Sequence, residues 1–159
     1  MNPLKKLVCY ARRHSPWLFH MNSGSCNGCD IELVACLAPR YDAEQLGIQL
    51  QGSPRHADIL CVTGPVTRNA AGAIETVYGQ VPSPKAVVAI GSCPATTNVF
   101  VDSPTLDGPL ARHIPVDVFV PGCPPRPDAI MRGIAQAARI LAERQATPEG
   151  VATDVEVQP

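Results

Sequence analysis

The sequence predicts an α/β domain built on a doubly wound parallel sheet. Several short apolar runs end abruptly at Gly, Pro or Ser, and stretches with helical periodicity lie between them. This alternation is typical of parallel strands joined by helices. The run Lys85–Ile90 is nearly all apolar, as expected for a strand that is covered on both faces.

Each strand is predicted where an apolar run meets a turn. The first runs into the polar, Gly-rich residues 22–25, the third ends at Gly64-Pro65, and the fourth and fifth end at Gly91-Ser92-Cys93 and Pro121-Gly122-Cys123. Because Gly and Pro interrupt regular structure, these boundaries are well marked. The five predicted strands are Trp17–Met21, Ile48–Leu50, Asp58–Thr63, Lys85–Ile90 and Val116–Val120.

Three helices are predicted between and after the strands. Asp30–Leu37 stops before Pro39, Asn69–Tyr78 has Asn69 as a plausible N-cap, and Pro127–Arg144 has apolar positions at helical spacing. Residues 94–114 are rich in Pro, Thr and Asp and have no strong periodicity, so they are predicted to form a long excursion. Loops of this length are usually functional or lie against a partner.

Length and charge placement divide the chain into a domain with two tails. The 159 residues can bury one ordinary core, predicted to span residues 16–145. Residues 146–159 have the composition of a flexible tail. Residues 1–15 form a basic arm that suits an anionic membrane surface or an acidic partner, and a solvated terminus explains it equally well. The basic residues of this arm are Lys5, Lys6, Arg12 and Arg13, and no acidic residue precedes Asp30.

Composition favours a chain that is buried against other proteins. Thirteen basic and 14 acidic residues nearly cancel, which gives no electrostatic argument for nucleic acid binding. Only 17% of residues are charged and 17 are prolines, although Pro-rich loops on a monomer are an alternative.

No run reaches the roughly 20 apolar residues of a membrane-spanning helix. Because Arg12-Arg13 is not followed by an apolar segment, an export signal is not expected, and the seven cysteines are interpreted as cytoplasmic thiols or metal ligands.

Four cysteines follow three of the predicted strands. Cys26 and Cys29 follow the first strand, Cys93 the fourth and Cys123 the last. Since the carboxyl ends of parallel strands share one edge of the sheet, the four thiols are expected to converge there. Four thiolates suit a [4Fe–4S] cluster, with one sulfur for each iron, and they also suit a structural zinc ion.

Local sequence does not by itself decide between these metals. The spacing of Cys26 and Cys29 also occurs in thioredoxin-like redox sites, although those sites do not require Cys93 and Cys123. Cys36 lies on a predicted helix and Cys61 in a predicted strand, so both are interpreted as small buried hydrophobes. Cys9 has no evident role.

Three motifs together resemble a known family. They are Gly24-Ser25-Cys26-Asn27-Gly28-Cys29-Asp30-Ile31-Glu32, Ala89-Ile90-Gly91-Ser92-Cys93 and Val120-Pro121-Gly122-Cys123-Pro124-Pro125-Arg126-Pro127. They are similar to the small, electron-transfer subunit of membrane-bound, energy-converting [NiFe]-hydrogenases, which is homologous to the 20 kDa or B subunit of complex I. The resemblance spans roughly residues 17–135.

The resemblance implies a flavodoxin-like fold, with Cys26, Cys29, Cys93 and Cys123 as ligands of one proximal [4Fe–4S] cluster. Its implied partners are a large catalytic subunit, a ferredoxin-like cluster subunit and integral membrane subunits, on the cytoplasmic side of the membrane. The chain would be an oxidoreductase subunit that is not catalytic alone. The alternatives are the equivalent subunit of a complex I-like quinone oxidoreductase or of an Mrp-linked sulfur reductase, and more distantly a zinc-stabilised structural module.

Details of the motifs refine this interpretation. Complex I subunits begin their ligand set with adjacent cysteines, whereas two residues separate Cys26 from Cys29, and this favours the hydrogenase branch. Thirty-six residues follow Cys123, as expected for the short, single-cluster type. Cys93 is followed by Pro94 where the family often has a Gly-Gly pair. Glu32, three residues beyond Cys29, is a candidate proton relay at the boundary with the catalytic subunit, or alternatively an acidic residue of a helix first turn.

Overall fold

The computed structural model describes residues 7–8, 10–11 and 14–146. Within the predicted N-terminal arm, the described residues before His14 and His14 itself are helical. Outside the described residues lie the basic residues of the arm, Cys9 and residues 147–159. Of the predicted tail, only Ala146 is described, at the end of the last helix. The boundaries assigned to the arm and tail therefore stay predictions.

Five of the seven strands in the described part of the chain form a central sheet. The seven strands are β1 (Trp17–Asn22), β2 (Gln49–Leu50), β3 (Ile59–Thr63), β4 (Val66–Thr67), β5 (Ala86–Ile90), β6 (Leu106–Gly108) and β7 (Val118–Val120). In the central sheet the spatial order is β2-β1-β3-β5-β7, and every pairing is parallel. Counted within this sheet alone, the order is 2-1-3-4-5, which is the flavodoxin-like arrangement. The predicted fold class is confirmed.

Helices cover both faces of this sheet. The helices are α1 (Gly28–Ala35), α2 (Arg68–Gln80), α3 (Ser92–Thr96) and α4 (Pro127–Ala146). Alternate residues of β3 enter two different cores, because successive side chains of a strand point to opposite faces. Cys61 packs with residues of α1 and α4, whereas Leu60 packs with Ile74 of α2. All residues of β3 and β5 are buried, as expected for strands covered on both sides.

The segment between β5 and β7 is more regular than predicted. It contains α3, two short 3-10 helices at Asn98–Phe100 and Leu110–Arg112, and strand β6. Strand β6 pairs antiparallel with β4 to form a second, two-stranded sheet. Each of these elements is too short to produce a periodic pattern, which is why the sequence predicted an irregular excursion.

The predicted N-cap of α2 is wrong. The helix begins at Arg68, so Asn69 lies inside it and Thr67 occupies the capping position without a side-chain capping bond. Thr67 is also the last residue of β4, and its backbone N–H donates to Ser23 O at 3.1 Å. Pairing with a distant segment therefore sets the start of the helix.

Four strands end together at one edge of the sheet. The register pairs Asn22 with Thr63, Thr63 with Ile90, and Ile90 with Val120. These are the last residues of β1, β3, β5 and β7, so the turns that follow them project from the same edge. None of the helices in the described part of the chain has the length and apolar character needed to span a membrane.

Candidate metal centre

One cavity at the carboxyl edge of the sheet collects all four predicted ligands. Cys26, Cys29, Cys93 and Cys123 line a space of about 330 Å³. Pro124 closes part of its wall, and Phe100 and Leu106 contribute from the segment that follows α3. Turns that are far apart in sequence thus converge at one place.

The four thiols differ in their access to solvent. Cys29 is buried and Cys93 is half-buried, whereas Cys26 and Cys123 are exposed. The cavity therefore has an inner side formed around Cys29 and an open side at Cys26 and Cys123. A group held between all four would be partly shielded by the protein and reachable from outside.

The thiols influence one another electrostatically. Burial, with the neighbouring Cys93 and Cys26 adding to its effect, raises the pKa of Cys29 to about 11. Burial also raises the pKa of Cys93, with Cys123 adding to the effect and a hydrogen bond with Asn98 opposing it. Four thiolates so close together repel unless cations lie between them, and bound metal ions deprotonate coordinating thiols.

Gly91 leaves room for the innermost thiol. A β-carbon at this position would lie 2.7 Å from Cys29 Sγ, closer than van der Waals contact allows. Its backbone, with φ 98° and ψ 168°, also lies in a region that is essentially restricted to glycine. Gly91 is thus required both for the turn before Cys93 and for the position of Cys29.

The donor set of the cavity fits a cluster, because it provides four thiolates. A zinc ion holds its sulfur ligands at about 2.3 Å, with all four converging on one point. The thiols instead surround a space of about 330 Å³, and four thiolates provide one ligand for each iron of a [4Fe–4S] group.

The other predicted residues lie outside this cavity. Cys36 and Cys61 are buried in the core, and burial raises their pKa values to about 11 and about 12. Their interpretation as small buried hydrophobes agrees with these positions. Glu32 is half-buried on α1, one turn beyond Cys29, and does not line the cavity.

Sequence reasoning missed a polar network beside the cysteines. His20 Nε2 lies 2.7 Å from Asp30 Oδ1, and Thr63 Oγ1 donates to the same oxygen at 2.6 Å. Burial opposes ionisation of Asp30, but hydrogen bonds from Thr63 and Ser25 and the nearby His20 outweigh burial and lower its pKa. Only the positions of Thr63 and Asp30 in the sequence could have indicated this network, because Thr63 ends a strand and Asp30 directly follows Cys29.

Known proteins share the sequence of this site. The family model described as NADH ubiquinone oxidoreductase, 20 kDa subunit, matches residues 26–137, which include all four cysteines of the cavity. A probable membrane-bound hydrogenase subunit, mbhJ, of Pyrococcus furiosus is 60% identical over 136 residues, which cover 86% of this chain and 81% of that protein.

Two further similarities have other functional descriptions. An NADH-quinone oxidoreductase subunit of Streptomyces griseus is 39% identical over 151 residues, or 91% of this chain and 63% of that protein. A chain in the structure of the membrane-bound sulfane sulfur reductase, an archaeal respiratory membrane complex, matches with a TM-score of 0.75 and 37% identity. That match covers 86% of this chain and 76% of the other.

Proposed function

This chain belongs to the family of the 20 kDa subunit of NADH ubiquinone oxidoreductase, and we propose from this premise that it is the electron-transfer subunit of a membrane-bound, hydrogenase-like complex. It would carry one proximal [4Fe–4S] cluster, held by Cys26, Cys29, Cys93 and Cys123. Such a cluster supplies one-electron transfer when bound. The reaction itself would take place in a large catalytic partner.

The observation that carries this proposal is the convergence of four thiols around one cavity. The strand register aligns the ends of β1, β3, β5 and β7 in one row. The turns that carry the cysteines follow three of these strand ends. The other described residues that line the cavity are Gly, Pro, Ser, Thr, Phe and Leu, whose side chains have much lower affinity for iron. The donor set is therefore thiolate alone, as in clusters of this type.

The open side of the cavity is the proposed route to the catalytic subunit. Cys26 and Cys123 are exposed there, and Phe100 on the rim is 48% exposed. Its neighbours Val99 and Val101 are 79% and 66% exposed. Large apolar side chains at the mouth of a site are typical of a surface that another protein covers. We propose that the large subunit covers this rim and places its own redox centre close to the thiols.

The remaining proposed partners are those that the family resemblance implies. The proposed complex contains a ferredoxin-like cluster subunit and integral membrane subunits, and this chain lies peripherally on the cytoplasmic side. The supporting observation is that similar proteins are described as subunits of membrane-bound hydrogenase and respiratory membrane complexes. Low charge, at 17% of residues, also suits a chain that is surrounded by others.

Sequence identity to the relatives favours a hydrogenase over a quinone oxidoreductase or a sulfur reductase. The hydrogenase relative is 60% identical, whereas the quinone oxidoreductase relative is 39% identical and the sulfur reductase chain 37%. The sulfur reductase and the quinone oxidoreductase remain the second candidate function, because their chains match most of this one. Two pairs of inward-facing cysteines in the large subunit, able to hold nickel and iron, would support the hydrogenase, and their absence would favour the alternatives.

The ligand set is tested by substituting one cysteine in the purified complex. Cys93→Ser should remove or reshape the low-temperature paramagnetic signal of the reduced complex, because it replaces one of the thiolates. Cys61→Ala is the matched control, since Cys61 is fully buried in the core and lies outside the cavity. An unchanged signal in Cys93→Ser would contradict the ligand assignment. Zinc in place of iron and sulfide in the wild-type complex would instead support the structural module.

A further inference from the structure

Asn22 uses its entire side-chain amide to bind the loop that carries Cys26 and Cys29. Its Oδ1 accepts hydrogen bonds from the backbone N–H groups of Gly24 at 2.9 Å and Ser25 at 2.7 Å. Its Nδ2 donates to Asp30 Oδ2 at 3.1 Å and to Asn27 Oδ1 at 3.3 Å. A single side chain at the end of β1 thus contacts both sides of the loop.

Asp30 connects this loop to the sheet. While Oδ2 accepts from Asn22, Oδ1 accepts from Thr63 Oγ1 at 2.6 Å and lies 2.7 Å from His20 Nε2. His20 is on β1 and Thr63 ends β3, so the carboxylate is fixed by two neighbouring strands. The side chain of Asp30 is only 16% exposed, which limits competition from water for these bonds.

Residues 23–29 connect Asn22 to Asp30, and ordering this loop without those two side chains would cost conformational entropy. It contains two glycines, and Asn27 has a left-handed backbone with φ 68°. Fixing each flexible residue costs about 1–2 kcal/mol of conformational entropy. A loop that is already ordered presents its two thiols without that cost at the moment of binding. The metal group that it holds is then also released more slowly.

We propose that Asn22 and Asp30 are positioning residues that hold the Cys26–Cys29 loop in its ligand-presenting conformation. They form a clamp in which Asn22 donates and Asp30 accepts. The inference rests on the proposed function, because the group to be held is the cluster proposed above. Neither residue lines the cavity, so both act through the loop backbone.

An exchange of the two side chains tests the clamp. Asn22→Asp keeps the acceptor for Gly24 and Ser25 but loses the donor, and it places two carboxylates against each other. Adding Asp30→Asn restores one donor and one acceptor in reversed order and keeps the total charge. The reversed pair can make the same hydrogen bond, and the carbonyl oxygen of the amide introduced by Asp30→Asn can still accept from Thr63.

The measurements are the rate of iron release to a chelator and the low-temperature paramagnetic signal of the purified, reduced complex. Asn22→Asp should release iron roughly tenfold faster and broaden the signal, as expected from losing a hydrogen bond to a charged group. The double variant should return to within about threefold of the wild-type rate. Asn69→Asp, the same chemical change at an exposed position on α2, should release iron at the wild-type rate.

The outcomes separate the clamp from the proposed function. Wild-type behaviour of Asn22→Asp, or no recovery in the double variant, would overturn the clamp while leaving the cluster in place. If Asn22→Asp fails to assemble, recovery of assembly and signal in the double variant supports the clamp and continued failure rejects it. A wild-type complex without iron and sulfide would refute the proposed function itself.

Discussion

Ser92 and Gly122 join the turn of Cys93 to the turn of Cys123. The backbone N–H of Ser92 donates to Gly122 O at 2.8 Å, and Ser92 Oγ donates to the same oxygen at 3.2 Å. The N–H of Gly122 donates in return to Ser92 Oγ at 3.3 Å. One hydroxyl therefore acts as donor and acceptor between two turns. These hydrogen bonds connect the two turns that carry Cys93 and Cys123.

Ser92→Ala should loosen the connection between these turns without removing it. The backbone hydrogen bond remains, but both bonds of the hydroxyl are lost, and the free energy of unfolding should fall by about 1 kcal/mol. Chemical denaturation of the wild type and variant would measure the loss. Ser83→Ala, at an exposed position before β5, is the control and should unfold like the wild type. Equal stability of all three proteins would show that the hydroxyl contributes nothing.

Gly91→Ala should displace the buried ligand. The added methyl group would lie 2.7 Å from Cys29 Sγ, and the backbone with φ 98° disfavours any side chain. The expected loss of stability is about 1–3 kcal/mol from backbone conformation alone. Iron content should fall as well, because Cys29 can no longer occupy its place in the cavity. Elemental analysis together with thermal unfolding measures both effects.

The control for this change is a glycine with free space around it. At Gly79 on α2 an added β-carbon would meet nothing within 4 Å. Gly79→Ala should therefore bind iron normally and gain up to about 1 kcal/mol of stability, since alanine favours the helix. If Gly91→Ala matched Gly79→Ala in iron content, steric exclusion beside Cys29 would not be the reason for glycine there.

Cys61 should give the protein a specific sensitivity to alkali. Burial raises its pKa from 9.0 to about 12, so the fold favours the neutral thiol. The stability that depends on this neutrality is complete below pH 9.0 and is lost as the pH rises toward 12. The loss cannot exceed about 1.4 kcal/mol per pH unit for one proton.

Cys61→Ala removes this source of pH dependence. At a pH of about 8 the variant should be less stable than the wild type by about 1 kcal/mol, because it loses a small buried side chain. That difference should shrink above pH 9.0 as the wild type loses stability more steeply. Urea unfolding at pH values of about 8, 9.5 and 10.5 measures it, and parallel pH curves for the two proteins would contradict the argument.

The strands and the cysteine turns were predictable because both depend on local sequence. Buried parallel strands are continuous apolar runs, as in β3 and β5, and glycine or proline marks where each run ends. The convergence of Cys26, Cys93 and Cys123 then follows from a general property of parallel sheets. No knowledge of side-chain contacts was needed to place the site.

Contacts between distant segments were not predictable in the same way. The pairing of β4 with β6 joins Val66 to Gly108, and neither strand is long enough to show alternation. The roles of Asn22 and Ser92 depend on hydrogen bonds whose partners are identified only when the turns are in place. Sequence alone could mark these residues as polar and close to a ligand, but it could not assign their function.

Glu32 lies outside the cavity lining, one helical turn beyond Cys29. It lies on α1, three residues beyond Cys29, and is half-buried outside the cavity lining. Helical residues three positions apart lie on the same side of the helix, so Glu32 shares the helix face that begins at the Cys29 turn. We propose that it exchanges protons across the boundary with the catalytic subunit.

Glu32→Gln tests this proposal because it preserves shape and most hydrogen bonding but cannot exchange a proton. The variant complex should keep a normal paramagnetic signal and iron content, while its turnover falls by roughly 10²–10⁴-fold, the range for a positioned acid or base. Glu32→Asp should retain part of the activity if reach is its only loss. Normal turnover of Glu32→Gln, with a normal cluster signal, would show that Glu32 has no part in proton exchange and end the relay proposal.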